Sequence, residues 1–270
     1  MKIPWRKILV GELSWKRFWR SVVLIYGIVL VGSCSFSEKL IFPYRGSSYD
    51  DTLSGLHLLE SSDGQTIATR YLPAPNEKFL ILHFHGNYED IGQLDPLYNH
   101  LRSYGWSILA MDYRGYGLSQ GSPKEKTCYL DATRLYQRAL ELGYTSDQII
   151  IWGRSVGGGL AVELARQEKA RALVLESAFA TAFRVATHIP IVPFDRFHNL
   201  SKISSVEEPL FILHGNHDTV IADWHSEKLY HKHLGPKEQH LIEGAGHNDL
   251  WQHDLKQEMK ALEAFLQKDR

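Results

Sequence analysis

Cysteine is scarce in this chain of 270 residues, with only Cys34 and Cys128 present, so no disulfide framework can be read from it. His-Glu-x-x-His and Cys-x-x-Cys are both missing, and the fourteen histidines therefore fall into no familiar zinc spacing. His83 and His85 flank Phe84 on one face of a predicted strand, and His231 and His233 flank Lys232 near a helix end. With no third ligand in view, packing or solvation accounts for both pairs, and neither a metal nor another cofactor is expected. No excess of either charge is present: a formal net charge of -1 gives no reason to expect nucleic acid as a partner. Internal repeats and low-complexity segments are also missing. The apolar run Val22–Val31 is shorter than the roughly 20 residues a spanning helix requires.

What the sequence does contain is uneven. Lys2, Arg6, Lys7, Lys16, Arg17 and Arg20 against Glu12 give residues 1–33 a net charge of +5, which leaves -6 for the rest. Basic residues before a short apolar run fit the n- and h-regions of a signal peptide. Val31-Gly32-Ser33-Cys34 resembles the lipobox of bacterial lipoproteins, which implies cleavage before Cys34 and lipid attachment to it. An uncleaved signal anchor is the alternative, with Cys34 merely lying beyond the span. Either places the remainder outside the cytoplasm, beside a membrane of the bacterial envelope. Residues 34–52 then read as a tether with no sustained period, and residues 53–270 as one domain.

Within that domain, apolar runs of strand length alternate with helical patterns. Leu56–Leu59 and Ile67–Leu72 flank Ser62-Asp63-Gly64 and predict an antiparallel pair. Apolar runs follow at 79–84, 107–111, 148–152, 172–175, 210–213 and 240–242, several of them continuously apolar, as expected of strands buried on both faces. Helical spacing over 94–104, 129–142, 156–167, 223–234 and 249–267 completes a mostly parallel, twisted α/β sheet with helices on both faces. A Pro- and aromatic-containing insert at about 178–206 reads as a small cap over the carboxyl edge of the sheet, where open α/β sheets place ligands.

Gly-x-Ser-x-Gly occurs at 153–157 and again at 117–121. It presents a nucleophile only between a strand and a helix. The first copy follows the run 148–152 and opens a helical pattern; the second is surrounded by Gly115 and Pro123 with no helix beginning there. Ser155 is therefore the expected nucleophile and Ser119 is not. A serine hydroxyl needs a base within reach and a group to orient that base. Asp218, just past the run 210–213, and His247, in the Gly-rich loop before the last helix, are the natural pair. Asp223, Asp249, His214, His217 and His253 stand nearby as competitors; the two acids look like helix N-cap residues. For the oxyanion, the backbone N–H of Val156 and of Asn87 are the candidate donors, although Asn87 also suits local turn bonding.

His85-Gly86-Asn87, Asp112-Tyr113-Arg114-Gly115-Tyr116-Gly117, Gly153-x-Ser155-x-Gly157, Glu176-Ser177, His214-Gly215-x-x-Asp218 and Gly246-His247, in this order over residues 55–267, together resemble the α/β-hydrolase superfamily. The stretch His85–Asp90 and the short insert are most similar to a branch of membrane-associated hydrolases that includes depalmitoylase-like and lysophospholipase-like proteins, some labelled serine peptidases. Tyr88 stands where alanine is common in that branch, which implies a narrower acyl site. The resemblance implies an α/β-hydrolase fold and a serine hydrolase acting on a small-molecule or lipid acyl ester or thioester, with no obligate protein partner. A peptidase of the same fold and an inactive binding protein are the alternatives. Ile189, Ile191, Val192, Phe194 and Phe197 are expected either to line an apolar slot or to pack the insert onto the sheet.

Overall fold

The computed structural model describes residues 14–43 and 46–268. Lys2, Arg6, Lys7 and Glu12 lie outside the described residues, as do positions 44 and 45 of the expected tether. The chain divides into two compact units, one ending at Leu40 and one beginning at Ile41.

Helix α1, Trp15–Ile41, belongs to the first unit as far as Leu40, and its last residue, Ile41, to the second. Gly32 and Ser33 do not interrupt it, and it ends two residues before Pro43, whose ring disfavours helix at the residue before it. Two sequence expectations change. Residues 34–41, assigned to an irregular tether, are helical. The helical segment around Val22–Val31 is also longer than its apolar core: it runs for 27 residues and contains an 18-residue stretch of mean hydropathy 1.7, long and apolar enough to cross a membrane by length and composition. A signal sequence near the N-terminus meets the same criteria.

The second unit is built on an eight-stranded sheet in the order β1-β2-β4-β3-β5-β6-β7-β8. The strands are β1 Leu56–Glu60, β2 Thr66–Leu72, β3 Phe79–Phe84, β4 Trp106–Met111, β5 Ile149–Arg154, β6 Ala172–Glu176, β7 Leu210–Gly215 and β8 Lys237–Ile242. β1 and β2 form the expected antiparallel pair, β2 joins β4 antiparallel, and every later pairing is parallel. The continuously apolar runs are explained by two cores, one on each face. In β3, Leu80, Leu82 and Phe84 enter one core and Ile81 the other, because successive strand residues point to opposite faces.

Helices α3 (Glu125–Glu141) and α4 (Gly157–Gln167) supply the first core with Ala132, Leu135, Leu160 and Leu164. Helix α2 (Asp95–Ser103) and the last helix, Lys256–Gln267, supply the second with Tyr98, Leu101, Met259 and Leu262. The single helix expected over 249–267 is instead a 3₁₀ turn at Leu250–Gln252 followed by that last helix. Asp249, before the turn, accepts the N–H of Gly246 (2.6 Å), and Asp254, between turn and helix, accepts that of Lys256 (3.2 Å). Between β6 and β7 the insert forms two short helices, α5 (Ala182–Thr187) and α6 (Asn199–Lys202). Helix α7, Trp224–Lys232, follows β7, and the last helix is α8.

Since β3, β5, β6, β7 and β8 run parallel, the loops that leave them share one edge of the sheet. Every expected site residue of this unit lies on one of those loops or at the start of α4.

Candidate active site

The site begins with a sharp turn between β5 and α4. Ser155 has φ of 53°, in the left-handed region that only glycine enters freely. It is held there by its N–H donating to the Glu176 carbonyl (2.9 Å) and its own carbonyl accepting from Gly158 (3.1 Å). The turn requires glycine beside it, because a Cβ at Gly157 would overlap the backbone carbonyl of Phe84 and one at Gly153 the carbonyl of Gly157. The end of β3 is thereby brought against the first turn of α4.

The Ser155 Oγ lies 3.1 Å from Nε2 of His247, and Nδ1 of His247 lies 2.7 Å from Oδ2 of Asp218. Asp218 is an acceptor, so Nδ1 carries the hydrogen and Nε2 presents its lone pair to the serine hydroxyl. Asp218 is fixed in turn: Oδ1 accepts the N–H groups of Val220 (2.9 Å) and Ile221 (2.8 Å). Its carboxyl is buried, which opposes ionisation, yet His214 and His247 outweigh that and hold its pKa well below the usual carboxylate range. His214 itself donates Nε2–H to the Ile221 carbonyl at 2.7 Å and stands 3.3 Å from Asp218 Oδ2.

The structure brings Ser155, His247 and Asp218 together and leaves the competitors elsewhere. Asp223 starts α7 with no side-chain capping bond, Asp249 binds Gly246, His217 is exposed, and His253 stands 3.9 Å from Asp249. Both candidate oxyanion donors flank the turn. No backbone carbonyl among the described residues accepts from the N–H of Val156 or of Asn87. The side chain of Asn87 donates to the Ile41 carbonyl (2.7 Å), and its carbonyl accepts from the Tyr116 hydroxyl (3.0 Å). The amide side chain and the main-chain carbonyl of Asn87 thus fasten the loop, while its N–H stays available.

Ser119, in the second Gly-x-Ser-x-Gly, accepts the N–H of Ala68 (2.8 Å) and donates to the Asp112 carbonyl (2.9 Å). His83 pairs with the Tyr98 hydroxyl (3.1 Å), and burial lowers its pKa to about 3. His85 pairs with Asp112 (3.0 Å). No group of three potential metal-binding side chains occurs among the described residues. In the insert, Ile189, Ile191 and Phe194 are exposed, whereas Phe197 is buried against Phe42, Tyr129 and Phe179. Packing therefore accounts for Phe197. Tyr88 is exposed.

Sequence reasoning missed Arg154 and Glu89. The Arg154 guanidinium reaches Glu89 (2.6 Å), Glu176 (3.2 Å), the main-chain oxygen of His247 (3.1 Å) and Asn248 (3.1 Å). The only available signal was a charged residue directly before the serine of a turn otherwise made of small residues.

A nearly parallel sheet, a strand–turn–helix serine and helices on both faces define a hydrolase architecture, and the chain belongs to the α/β-hydrolase superfamily. A family described as serine aminopeptidase, S33, matches residues 75–204. Human alpha/beta hydrolase domain-containing protein 17B is 36% identical over 222 residues, covering 79% of this chain and 75% of that protein. Among solved structures, an esterase from Pyrococcus furiosus matches with a TM-score of 0.66 at 17% identity, over 85% of this chain and 92% of the esterase. A monoacylglycerol lipase from Paleococcus ferrophilus matches at 0.59 and 17% identity, over 74% of this chain and 98% of the lipase. These two share the fold.

Proposed function

We propose that this hydrolase is a serine hydrolase that cleaves a carboxylic ester or thioester through an acyl-enzyme on Ser155. The observation that carries the reading is the contact of Ser155 Oγ with His247 Nε2 while Nδ1 is held by Asp218. As Oγ attacks the carbonyl carbon, its proton passes to Nε2, and ionised Asp218 stabilises the imidazolium. The carbonyl oxygen becomes an oxyanion that the N–H groups of Val156 and Asn87 receive. The imidazolium then gives its proton to the departing alcohol or thiol. Water, deprotonated by His247, attacks the acyl group and releases the acid and free Ser155.

The short insert, whose Ile189, Ile191 and Phe194 are exposed, supports an acyl group of short to medium length. Turnover of an acyl-chain series of esters and thioesters by the purified protein tests this. Ser155→Ala should abolish hydrolysis, and retained hydrolysis would refute the assignment. The match to a family described as a serine aminopeptidase favours a second reading, cleavage of peptide amides by the same residues. Faster turnover of amides than of every ester would select it.

Membrane attachment through the N-terminus is part of the proposal. Cys34 is exposed on α1 and follows Gly32-Ser33, which supports lipid attachment there. The length and hydropathy of α1 support an uncleaved anchor instead. Fatty-acid labelling in a bacterial host distinguishes them: label on wild type and none on Cys34→Ser supports lipidation. A mature protein that keeps residues 1–33 supports the anchor.

A further inference from the structure

A buried arginine is difficult to accommodate unless its donors are met, and the acceptors it selects reveal what it connects. Arg154 is the last residue of β5 and leads into the Ser155 turn, and its side chain is only 12% exposed. Three of its nitrogens act on two other loops and one strand end. Nη1 pairs with Oε1 of Glu89 in the loop after β3. Nε pairs with Oε1 of Glu176 at the end of β6. Nη2 donates both to the main-chain oxygen of His247 and to Oδ1 of Asn248, in the loop after β8.

Each partner is itself fastened. The Glu89 oxygen that Arg154 holds also accepts the N–H of Gly86 (2.7 Å), the residue before Asn87. Glu176 is fully buried and accepts the indole N–H groups of Trp152 (3.1 Å) and Trp251 (3.0 Å), the latter four residues beyond His247. One planar, forked cation thus ties the serine turn, the Gly86-Asn87 loop and the His247 loop into one frame.

We propose that Arg154 is a positioning residue of this site: by holding the main chain of His247 and, through Glu89, the main chain of Gly86, it sets the imidazole and the Asn87 N–H at the spacing that attack by Ser155 requires. The proposal rests on the assignment of Ser155 and His247 made above. Charge neutralisation alone would need only the two carboxylates. The bond to the His247 carbonyl adds nothing to charge balance and fixes the backbone that carries the base.

A matched control exists in the same unit. The Arg114 side chain is 5% exposed and binds Asp131 and Asp63 (both 2.8 Å). Those partners lie on α3 and on the turn between β1 and β2, away from the Ser155, Asp218 and His247 loops.

The experiment uses the full chain and a short-chain p-nitrophenyl ester, with thermal midpoints measured alongside kcat and KM. Arg154→Lys and Arg154→Met should each lower kcat about 10- to 100-fold, because displacements of about 1 Å cost that much, while KM stays within about 3-fold. Arg114→Met should lower the thermal midpoint yet keep kcat within about 2-fold of wild type. If Arg154→Met does not fold, Glu89→Gln tests the same frame and should lower kcat about 10-fold. Wild-type kcat in Arg154→Lys would overturn the proposal, since charge alone would then suffice. So would an equal loss of kcat in Arg114→Met, since general destabilisation would then explain both. Failure of the underlying assignment would show separately, as hydrolysis retained in Ser155→Ala.

Discussion

Ser155 and Ser119 occupy the same position of the same five-residue pattern, and both are 7% exposed. Burial does not separate them; their partners do. Ser119 uses its hydroxyl on two backbone groups, the Ala68 N–H and the Asp112 carbonyl, and so pins the loop after β4 to β2. The Ser155 hydroxyl instead faces the free lone pair of an imidazole whose other nitrogen is held by a carboxylate. The difference arises from topology. Ser155 turns from β5 directly into α4 at the edge where the β7 and β8 loops deliver Asp218 and His247. Ser119 lies instead in the loop between β4 and α3, with no strand directly before it and no helix directly after it, and its glycines serve that loop: Gly115, Gly117 and Gly121 all have positive φ.

The largest expected separation is in rate. Ser155→Ala and His247→Ala should each reduce hydrolysis by about four to six orders of magnitude, and the double variant should cost little more than either. Ser119→Ala should keep kcat within about 2-fold of wild type, because its hydroxyl faces only main chain. Steady-state kinetics on one ester reads all four variants, and a Ser119→Ala loss comparable to that of Ser155→Ala would erase the distinction.

The flanking glycines should separate next. Gly157→Ala drives a Cβ into the Phe84 carbonyl, which has no freedom to withdraw, and should destabilise the fold by about 3 kcal/mol or more. Gly121→Ala meets the movable end of Gln65 and costs chiefly its left-handed conformation, about 1–2 kcal/mol. Denaturant midpoints would show the order, and an equal loss at both glycines would contradict it.

A smaller effect concerns Ser119 as a pin. Its loss leaves the buried Ala68 N–H without an acceptor, at a cost of about 1–3 kcal/mol. Calorimetry that found Ser119→Ala as stable as wild type would contradict the role.

The smallest effect is a dependence on pH. Burial lowers the pKa of His83 to about 3 and of His225 to about 4, below the ordinary value near 6.5. Both are therefore largely neutral in the folded chain as pH falls from about 6.5 to about 5, where the unfolded chain binds protons. More protons on the unfolded side means that wild-type stability falls as pH is lowered through this window. The additional cost of Ser119→Ala involves no titrating group and should be the same at pH 7 and pH 5. Unfolding curves at the two values check both statements.

Much of this was legible in the sequence because parallel strands buried on both faces are continuously apolar, and glycines mark where backbones meet. The run 148–152, followed by Gly153–Gly157, was sufficient to locate the turn, and the apolar run before Asp218 was sufficient to place that carboxylate on the edge where it meets His247. Contacts formed between loops distant in sequence were not legible. Arg154, Glu89 and Glu176 are separated by 65 and 22 positions and meet only once β3, β5 and β6 lie side by side. Phe197 looked like a candidate for the acyl slot because composition cannot distinguish an exposed aromatic residue from a packed one. Helix α1 was underestimated because Gly32-Ser33 was read as a boundary, whereas both residues are accommodated within the helix.

The most direct test of the central claim is peptide mapping after reaction with a fluorophosphonate. The account predicts one adduct, on the peptide containing Ser155, formed fully by wild type and by Ser119→Ala. It should be missing from Ser155→Ala and slowed by orders of magnitude in His247→Ala. An adduct on Ser119, or labelling that persists in Ser155→Ala, would contradict the claim that this serine alone carries the reaction.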